Sequence, residues 1–270
     1  MSRIPFIKAH AYGNDFLIID EVHAQNHHAA MAIKLCSRNT GIGADGIEFL
    51  TRKPNDDFFL RLFNSDGGEA ELSGNGTRCV AACLAASEDL HEVTIGTGGG
   101  LRSCRLIRRD GPEFWIETSM GVPTVTPHTI QVAGISEPIH GAVVDMGNPH
   151  FVLFAAHENF SPHGLTWQQL GALLAVDPAF PHGTNVEFVR TLAPDHIALR
   201  IYERGCGPTT SSGTGTCASS AASMVLNNTA RSLSATAQGG TQRVVWPDNS
   251  SQMLLTGTAE IICSGEVDFA

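Results

Sequence analysis

The chain has 270 residues, a formal net charge of −10, 42% hydrophobic residues and only 16% charged residues. This much apolar content with so few charges excludes an intrinsically disordered chain, and the acidic balance argues against nucleic-acid partners. No apolar run is long enough to span a membrane and no signal-peptide core stands near the start, so we expect a cytoplasmic protein without membrane partners. Length alone favours two domains.

In the first part of the chain, apolar strand-like runs alternate with two helices. Strands are predicted at 6–9, 16–19, 46–50, 58–63, 92–95 and 101–107, and a helix at 28–36. A Ser-Gly-Asn-Gly turn at 73–76 precedes a second helix, 77–86, which is apolar nearly all round and therefore predicts burial. The turn Asp110-Gly111-Pro112 is the best boundary signal, so the first domain is predicted as 1–112.

The second part of the chain repeats the same order of elements. Strands are predicted at 142–145, 151–154, 185–189, 198–202, 232–235, 242–245 and 253–255, and helices at 166–174 and 216–226. These elements define a predicted second domain at 113–258. A last strand, 259–263, has no counterpart in the first half, so the tail 259–270 is expected to return to the first domain.

A constant offset of 139 residues relates the two halves. It places the Ser-Gly-Asn-Gly-Thr turn at 73–77 over Ser-Gly-Thr-Gly-Thr at 212–216, and Ile-Glu-Phe-Leu at 47–50 over Val-Glu-Phe-Val at 186–189. A weaker match, Gly13-Asn14 with Gly147-Asn148, needs a gap of five residues. Several matches in one order at one offset predict two structurally similar α/β halves that arose by internal duplication.

Cysteine and histidine spacing gives no evidence for a disulfide framework or a metal site. The seven cysteines are odd in number and form no Cys-x-x-Cys pair, so they are expected to be small packing residues. His23 and His27 lie four residues apart and could share a helix face, but no third ligand follows at a suitable spacing. We therefore predict no metal.

The two matched glycine turns are suited to bind an anionic group such as a carboxylate. Each follows a strand that ends in a polar residue, Asn64 or Glu203, and each opens a helix whose free N–H groups attract anions. An ordinary helix N-cap is the alternative interpretation of either turn alone. Two such turns facing each other across a cleft would hold one carboxylate between them, with Ser73 and Ser212 on opposite sides of the attached carbon. That arrangement suits inversion of a stereocentre next to a carboxylate, and it predicts no cofactor.

Motifs along essentially the whole chain carry a family resemblance. They are Gly-Asn-Asp-Phe at 13–16, Gly-Ile-Gly-Ala-Asp-Gly at 41–46, Phe-Asn-Ser-Asp-Gly at 63–67, Ser-Gly-Asn-Gly-Thr-Arg-Cys at 73–79, Met-Gly-Asn-Pro-His at 146–150, Asn-Val at 185–186, Glu-Arg-Gly at 203–205 and Ser-Gly-Thr-Gly at 212–215. The sequence resembles diaminopimelate epimerase, a cofactor-independent family of the proline-racemase-like superfamily. The resemblance implies two pseudo-symmetric α/β domains, each a strand-rich barrel around a central helix, with the active site between them.

The resemblance also implies a reaction and a set of site residues. The reaction is inversion of one α-carbon of LL-diaminopimelate to the meso form, a step of lysine and peptidoglycan-precursor biosynthesis. The distal end of this amino-acid substrate would be held by Asn14, Asn64, Asn148, Asn185 and Arg204. Its reacting α-carboxylate would be held by Gly74, Asn75, Gly213 and Thr214, and His150 and Glu203 would assist the catalytic pair. A homodimer is the expected assembly, because two-fold dimers are the commonest soluble oligomers.

The catalytic pair departs from the family pattern. The resemblance implies cysteine acid/bases at the positions of Ser73 and Ser212, and serine is a far weaker acid that needs a neighbouring base. Cys79 and Cys217 lie more than a turn inside their helices and are not expected to substitute. Three hypotheses stay open: an epimerase made inert by Cys-to-Ser replacement, a Ser/Ser homologue acting as an isomerase on another small carboxylate, and an amino-acid-binding protein without turnover.

Overall fold

A computed structural model of the protein describes residues 2–53 and 58–269. The α-helices are α1 (His28–Leu35), α2 (Gly74–Glu88), α3 (Trp167–Leu174) and α4 (Gly213–Leu226). The first eight strands are β1 (Ser2–Ala11), β2 (Asn14–Asp20), β3 (Gly46–Arg52), β4 (Phe58–Asn64), β5 (Glu69–Ala70), β6 (Glu92–Thr97), β7 (Gly100–Asp110) and β8 (Glu113–Ser119). The others are β9 (Thr124–Ile130), β10 (Ile139–Asp145), β11 (Pro149–Phe154), β12 (Asn185–Ala193), β13 (His196–Glu203), β14 (Gly207–Thr209), β15 (Ser232–Ala237), β16 (Gly240–Val245) and β17 (Leu254–Phe269).

The first compact unit combines the chain up to Ser119 with the segment from Thr256 onward. Its strands pair in the order β1–β2–β3–β4–β6–β7–β8–β17, and the last strand, β17, also pairs with the first, β1. These pairings close a barrel of eight strands. Helix α2 is buried from Gly74 to Ala85 and packs against β1, β2, β7 and β8. The predicted strand-rich barrel around a central helix is confirmed in this unit.

The second unit runs from Met120 to Leu255. Its strands pair in the order β9–β10–β11–β12–β13–β15–β16, with parallel pairings at β11–β12 and β13–β15. Helix α4 is buried from Gly213 to Met224 and packs against every strand of that series. Small residues fill this helix, which allows strands to approach it closely on all sides.

The strand register of one unit repeats in the other. Glu48 of β3 lies opposite Leu62 of β4, and Glu187 of β12 lies opposite Ile201 of β13, so both pairings keep the offset of 139 residues. The two corresponding parallel pairings, β2–β3 and β11–β12, also place a β-branched residue beside each glutamate. Glu48 and Glu187 therefore occupy equivalent positions in the sheets of the two units.

The unit boundaries differ from the predicted ones. The first change of unit follows Ser119 and not residue 112, because the Asp110-Gly111-Pro112 turn joins the antiparallel strands β7 and β8. The chain returns to the first unit at Thr256, three residues before the predicted 259, because the continuous strand β17 runs across that point. A strong turn signal does not distinguish a hairpin from a linker between domains.

Both central helices begin three residues earlier than predicted. The sequence predicts starts at Thr77 and Thr216, whereas α2 begins at Gly74 and α4 at Gly213. Glycine has low helix propensity, so the pattern alone excludes it from the helix. The capping serine of each helix overrides that preference, and each helix start therefore consists of glycine and small polar residues.

Candidate active site

Ser73 caps the central helix of the first unit. Its backbone is extended, and its hydroxyl oxygen accepts a hydrogen bond of 3.0 Å from the N–H of Gly76. Gly74 and Asn75 form the first turn of α2 and are buried. The side chain of Ser73 accordingly lies at the positive end of a buried helix, where N–H groups stabilise negative charge.

A chain of polar side chains surrounds this helix start. The Asn75 amide donates to Oδ1 of Asn14 at 3.1 Å, and the Asn14 amide donates to Oδ2 of Asp45 at 2.7 Å. Asn64 is the last residue of β4 and lies opposite Gly46 of β3. Asp45 precedes Gly46, and its carbonyl oxygen accepts a hydrogen bond from the N–H of Ser65. The fold thus brings the predicted site residues Asn14, Asn64 and Asn75 to one end of the barrel.

Glu48 lies beneath the same turn, with its carboxyl group against Gly76. The side chain is fully buried, and Oε1 has no hydrogen-bond partner among the described residues. Burial away from water raises the pKa of Glu48 to about 8. The group is therefore a carboxylic acid at neutral pH, held under the first turn of α2.

Ser212 caps the central helix of the second unit in the same way. Its hydroxyl oxygen accepts from the N–H of Gly215 at 3.2 Å, and Gly213 and Thr214 begin the buried helix α4. The Asn148 amide approaches the Thr214 hydroxyl at 3.5 Å. Four predicted site residues, Ser212, Gly213, Thr214 and Asn148, consequently lie together.

His150 connects Asn148 to a buried carboxyl group. Its Nε2 lies 2.9 Å from Oδ1 of Asn148, and its Nδ1 lies 2.8 Å from Oε1 of Glu187. The amide oxygen only accepts, so Nε2 carries a proton, and a second proton lies between Nδ1 and Glu187. Burial raises the pKa of Glu187, and the charge and hydrogen bond of His150 partly offset that rise. The pair therefore holds one labile proton in a site closed to water.

Glu203 lies beside the capping serine of the second unit. Burial raises the pKa of Glu203, and the hydrogen bond with the Ser212 side chain lowers it in part. Next to it, the N–H of Arg204 donates to Oδ1 of Asn185 at 2.9 Å, and the guanidinium donates to the carbonyl of His182 at 2.7 Å. The serine hydroxyl thus has a carboxylate base of raised proton affinity at hand.

Several predictions about cysteine, histidine and metals can be compared with these positions. Cys79 and Cys217 are fully buried inside α2 and α4, and burial raises the pKa of Cys79 well above its usual range. His23 ends a short 3₁₀ helix and His27 precedes α1, so the two histidines do not share a helix face. Within residues 2–53 and 58–269, no three metal-ligating side chains cluster, and no helix has both the length and the apolar content to cross a bilayer.

Two buried glutamates of the site, Glu48 and Glu187, are not among the site residues that the sequence predicts. Glu48 and Glu187 sit in the segments that the offset of 139 residues aligns, yet each reads as a polar interruption of an apolar strand. The signal that would have found them is their equivalence: a carboxylate at the same position of both repeats, in a strand otherwise buried on both faces.

Gly76→Ala is expected to destabilise the protein by about 2 kcal/mol, although Gly-to-Ala within a helix usually stabilises. An added Cβ would overlap the carboxyl group of Glu48, which is buried and has little room to move. Gly215→Ala is the milder matched change, because its Cβ would lie 2.8 Å from Oε1 of Glu187. Urea unfolding of Gly76→Ala with and without Glu48→Ala measures the effect, and an equal loss in both backgrounds would contradict the contact.

The comparisons with known proteins cover nearly the whole chain. The family model described as diaminopimelate epimerase matches residues 6–126 and 142–262. The diaminopimelate epimerase of Pelotomaculum thermopropionicum is 35% identical over 281 residues, covering 98% of this chain and 99% of the relative. That of Desulforudis audaxviator is 36% identical over 280 residues, covering 97% of this chain and 98% of the relative.

Solved structures of low sequence identity share the fold. A predicted epimerase from Pseudomonas aeruginosa superposes with a TM-score of 0.74 at 14% identity, covering 100% of both chains. A hydroxyproline epimerase from Agrobacterium vitis gives a TM-score of 0.72 at 16% identity, covering 98% of this chain and 92% of that one. The family model and the full-length sequence relatives show that the chain belongs to the diaminopimelate epimerase family.

Proposed function

We propose that this protein is a cofactor-independent epimerase that converts LL-diaminopimelate to meso-diaminopimelate, with serine hydroxyls at both proton-transfer positions. The observation that carries the proposal is the matched pair of serine-capped, buried helix starts, each with amides and a buried carboxyl group around it. The family membership supplies the substrate class. Lysine biosynthesis in the cytoplasm is the setting that this activity implies.

The helix starts are suited to hold the α-carboxylate of an amino acid. Free N–H groups and the positive helix end favour an anion there. Their stabilisation of the carboxylate becomes stronger when further negative charge develops on it as the α-proton leaves. The Asn75 side chain adds an amide at the first helix start, where it contacts the distal-end residue Asn14, and the distal-end residue Asn148 approaches Thr214 at the second helix start. Binding and transition-state stabilisation thereby use the same donors.

In the second unit, proton transfer has a defined base. The Ser212 hydroxyl would pass its proton to Glu203, and the resulting alkoxide would take the α-proton of the substrate. The raised pKa of Glu203 makes its carboxylate a stronger base than an exposed one. In the reverse direction, the protonated Glu203 restores the hydroxyl after it has delivered its proton.

The first unit offers Ser73 a different environment. Asn64 occupies the position that corresponds to Glu203, and an amide does not act as a base at neutral pH. The carboxyl group nearest to the Ser73 turn is Glu48, which is protonated at pH 7. Ser73 is therefore suited to donate a proton and poorly suited to abstract one, so we expect turnover to be slow in the direction in which Ser73 must remove the α-proton.

Calorimetric titration of the full chain with LL-diaminopimelate tests the substrate assignment. We expect binding in the micromolar to millimolar range usual for enzyme substrates, and at least tenfold weaker binding of L-lysine, which keeps both amino groups but lacks the second carboxylate. Asn185→Ala should weaken diaminopimelate binding about tenfold, because it releases the Arg204 backbone. Asn159→Ala, at an exposed loop position, is the matched control.

The result that would overturn the assignment is equally specific. If diaminopimelate gives no heat of binding while another small carboxylate binds tightly, the substrate named above is wrong. If diaminopimelate and lysine bind equally well, the second carboxylate is not recognised and the proposed role of the distal site fails.

A further inference from the structure

The amide groups of Asn14 and Asn75 belong to a hydrogen-bonded chain with a fixed direction. At one end, Oδ2 of Asp45 accepts from Asn14 at 2.7 Å, and a carboxylate can only accept. At the other end, the guanidinium of Arg78 donates to Oδ1 of Asn75, and a guanidinium can only donate. The Asn75 amide joins the two halves by donating to Oδ1 of Asn14 at 3.1 Å.

These end groups determine which way each amide points. A reversed Asn14 would set its oxygen against the Asp45 carboxylate, and a reversed Asn75 would set its NH₂ against the Arg78 guanidinium. A reversed Asn14 therefore places two acceptors together, and a reversed Asn75 places two donors together. Such contacts are costly here, because Asn75 and Arg78 are buried. In the observed direction, each amide keeps a second N–H that none of these bonds uses, and each oxygen already has a donor.

The Asp45 end of this hydrogen-bonded series is fixed by several polar contacts. Asp45 also accepts from Arg38 at 2.7 Å and from the N–H of Asp15 at 3.1 Å. Burial would raise the pKa of Asp15, but hydrogen bonds from Arg38 and from Lys8 hold that pKa below its usual value, so the Asp15 carboxylate beside Asp45 stays ionised at neutral pH.

Arg78 is fully buried and holds the other end. It is one helical turn after Asn75 on α2, and its guanidinium lies over the Tyr12 ring, 5.9 Å from the centroid. Tyr12 adopts a left-handed backbone (φ 55°) at the turn before Asn14, and its hydroxyl accepts from the N–H of Thr258 at 3.1 Å. Arg78 therefore contacts the amide of Asn75 and also the turn that presents Asn14.

We propose that Arg78 and Asp45 are positioning residues that make Asn14 and Asn75 present N–H groups, and not oxygens, to the substrate, so that the site selects a carboxylate over a carboxamide. The inference rests on the proposed amino-acid substrate. It assigns a task to two residues that do not themselves touch the reacting atoms.

The test compares two ligands, LL-diaminopimelate and its monoamide, by calorimetry on the full chain. The unmodified protein is expected to prefer the dicarboxylate by more than tenfold. In Arg78→Met and in Asp45→Asn that ratio should fall about tenfold, because an amide freed at either end can turn its oxygen to the carboxamide N–H. Asp45 is partly exposed, which keeps the test available if Arg78→Met does not fold. Arg61→Met, whose partners are Glu69, Glu21 and His28, is the control.

A merely structural role gives a different result. It would weaken both ligands by one factor and leave the ratio unchanged, which overturns the inference. The side-chain NH₂ signals of Asn14 and Asn75 in ¹⁵N NMR give a readout without ligand. In Arg78→Met both pairs should move, and movement of the Asn75 pair alone would overturn the fixed direction. If diaminopimelate does not bind at all, the proposed function fails while this spectroscopic test still decides the inference.

Discussion

Glu48→Gln is expected to make the protein more stable than its parent at pH 8.5 and no more stable at pH 5. The carboxyl group is fully buried, and burial raises its pKa from an ordinary 4.5 to about 8. A carboxyl with a raised pKa favours the fold while it is protonated, so the parent loses stability as pH rises from about 4.5 through 8. Glutamine is neutral throughout and escapes that loss. The difference in unfolding free energy between the two proteins should change by about 4 kcal/mol from pH 5 to pH 8.5.

Urea unfolding of both proteins at half-unit pH steps measures this difference directly. Every other titrating group is common to the two proteins and cancels in the comparison. Glu137→Gln, at an exposed position, is the matched control, because it makes the same change of side chain without burial. A flat difference for Glu48→Gln would mean that the carboxyl group is ionised or solvated in the fold.

The sequence predicted the helices and most strands because their residue patterns are strong. The two central helices are apolar or small nearly all round, and the parallel strands are almost continuous apolar runs. Strand β9 (Thr124–Ile130) escaped because it contains Pro127 and exposes most of its side chains, so it shows no clear alternation. Strand β8 has no sequence prediction for a different reason: the strong turn before it is typical of a domain boundary, whereas in the structure it joins the antiparallel strands β7 and β8.

The candidate site was predictable only as far as local motifs reach. The capping serines, their glycine turns and the polar strand ends are visible in single segments of the chain. The bond between Asn75 and Asn14 joins residues 61 positions apart, and the bond between His150 and Glu187 joins residues 37 apart. The first pairing follows from the packing of α2 against β2, and the second from the parallel register of β11 with β12. A residue pattern alone specifies neither the packing nor the register.

Replacing both capping serines by cysteine, Ser73→Cys/Ser212→Cys, is expected to raise the rate of α-proton transfer about 10³-fold or more. A thiol at a helix N-terminus is available as a thiolate near neutral pH, whereas a serine hydroxyl is not. The geometry needs no other change, because each side chain already lies at the first turn of its helix. Either single variant should gain far less, since inversion requires one group to remove the proton and another to deliver it.

The most direct measurement is exchange of the α-protons of LL-diaminopimelate in D₂O, followed by NMR with the unmodified chain and with the double cysteine variant. Our account predicts very slow exchange with the serine chain and rapid exchange with the cysteine form, giving the meso product. Ser87→Cys, at the far end of α2, should change nothing. Rapid exchange with the serine chain would show that another base serves the site, and no exchange with either form would contradict diaminopimelate as the substrate.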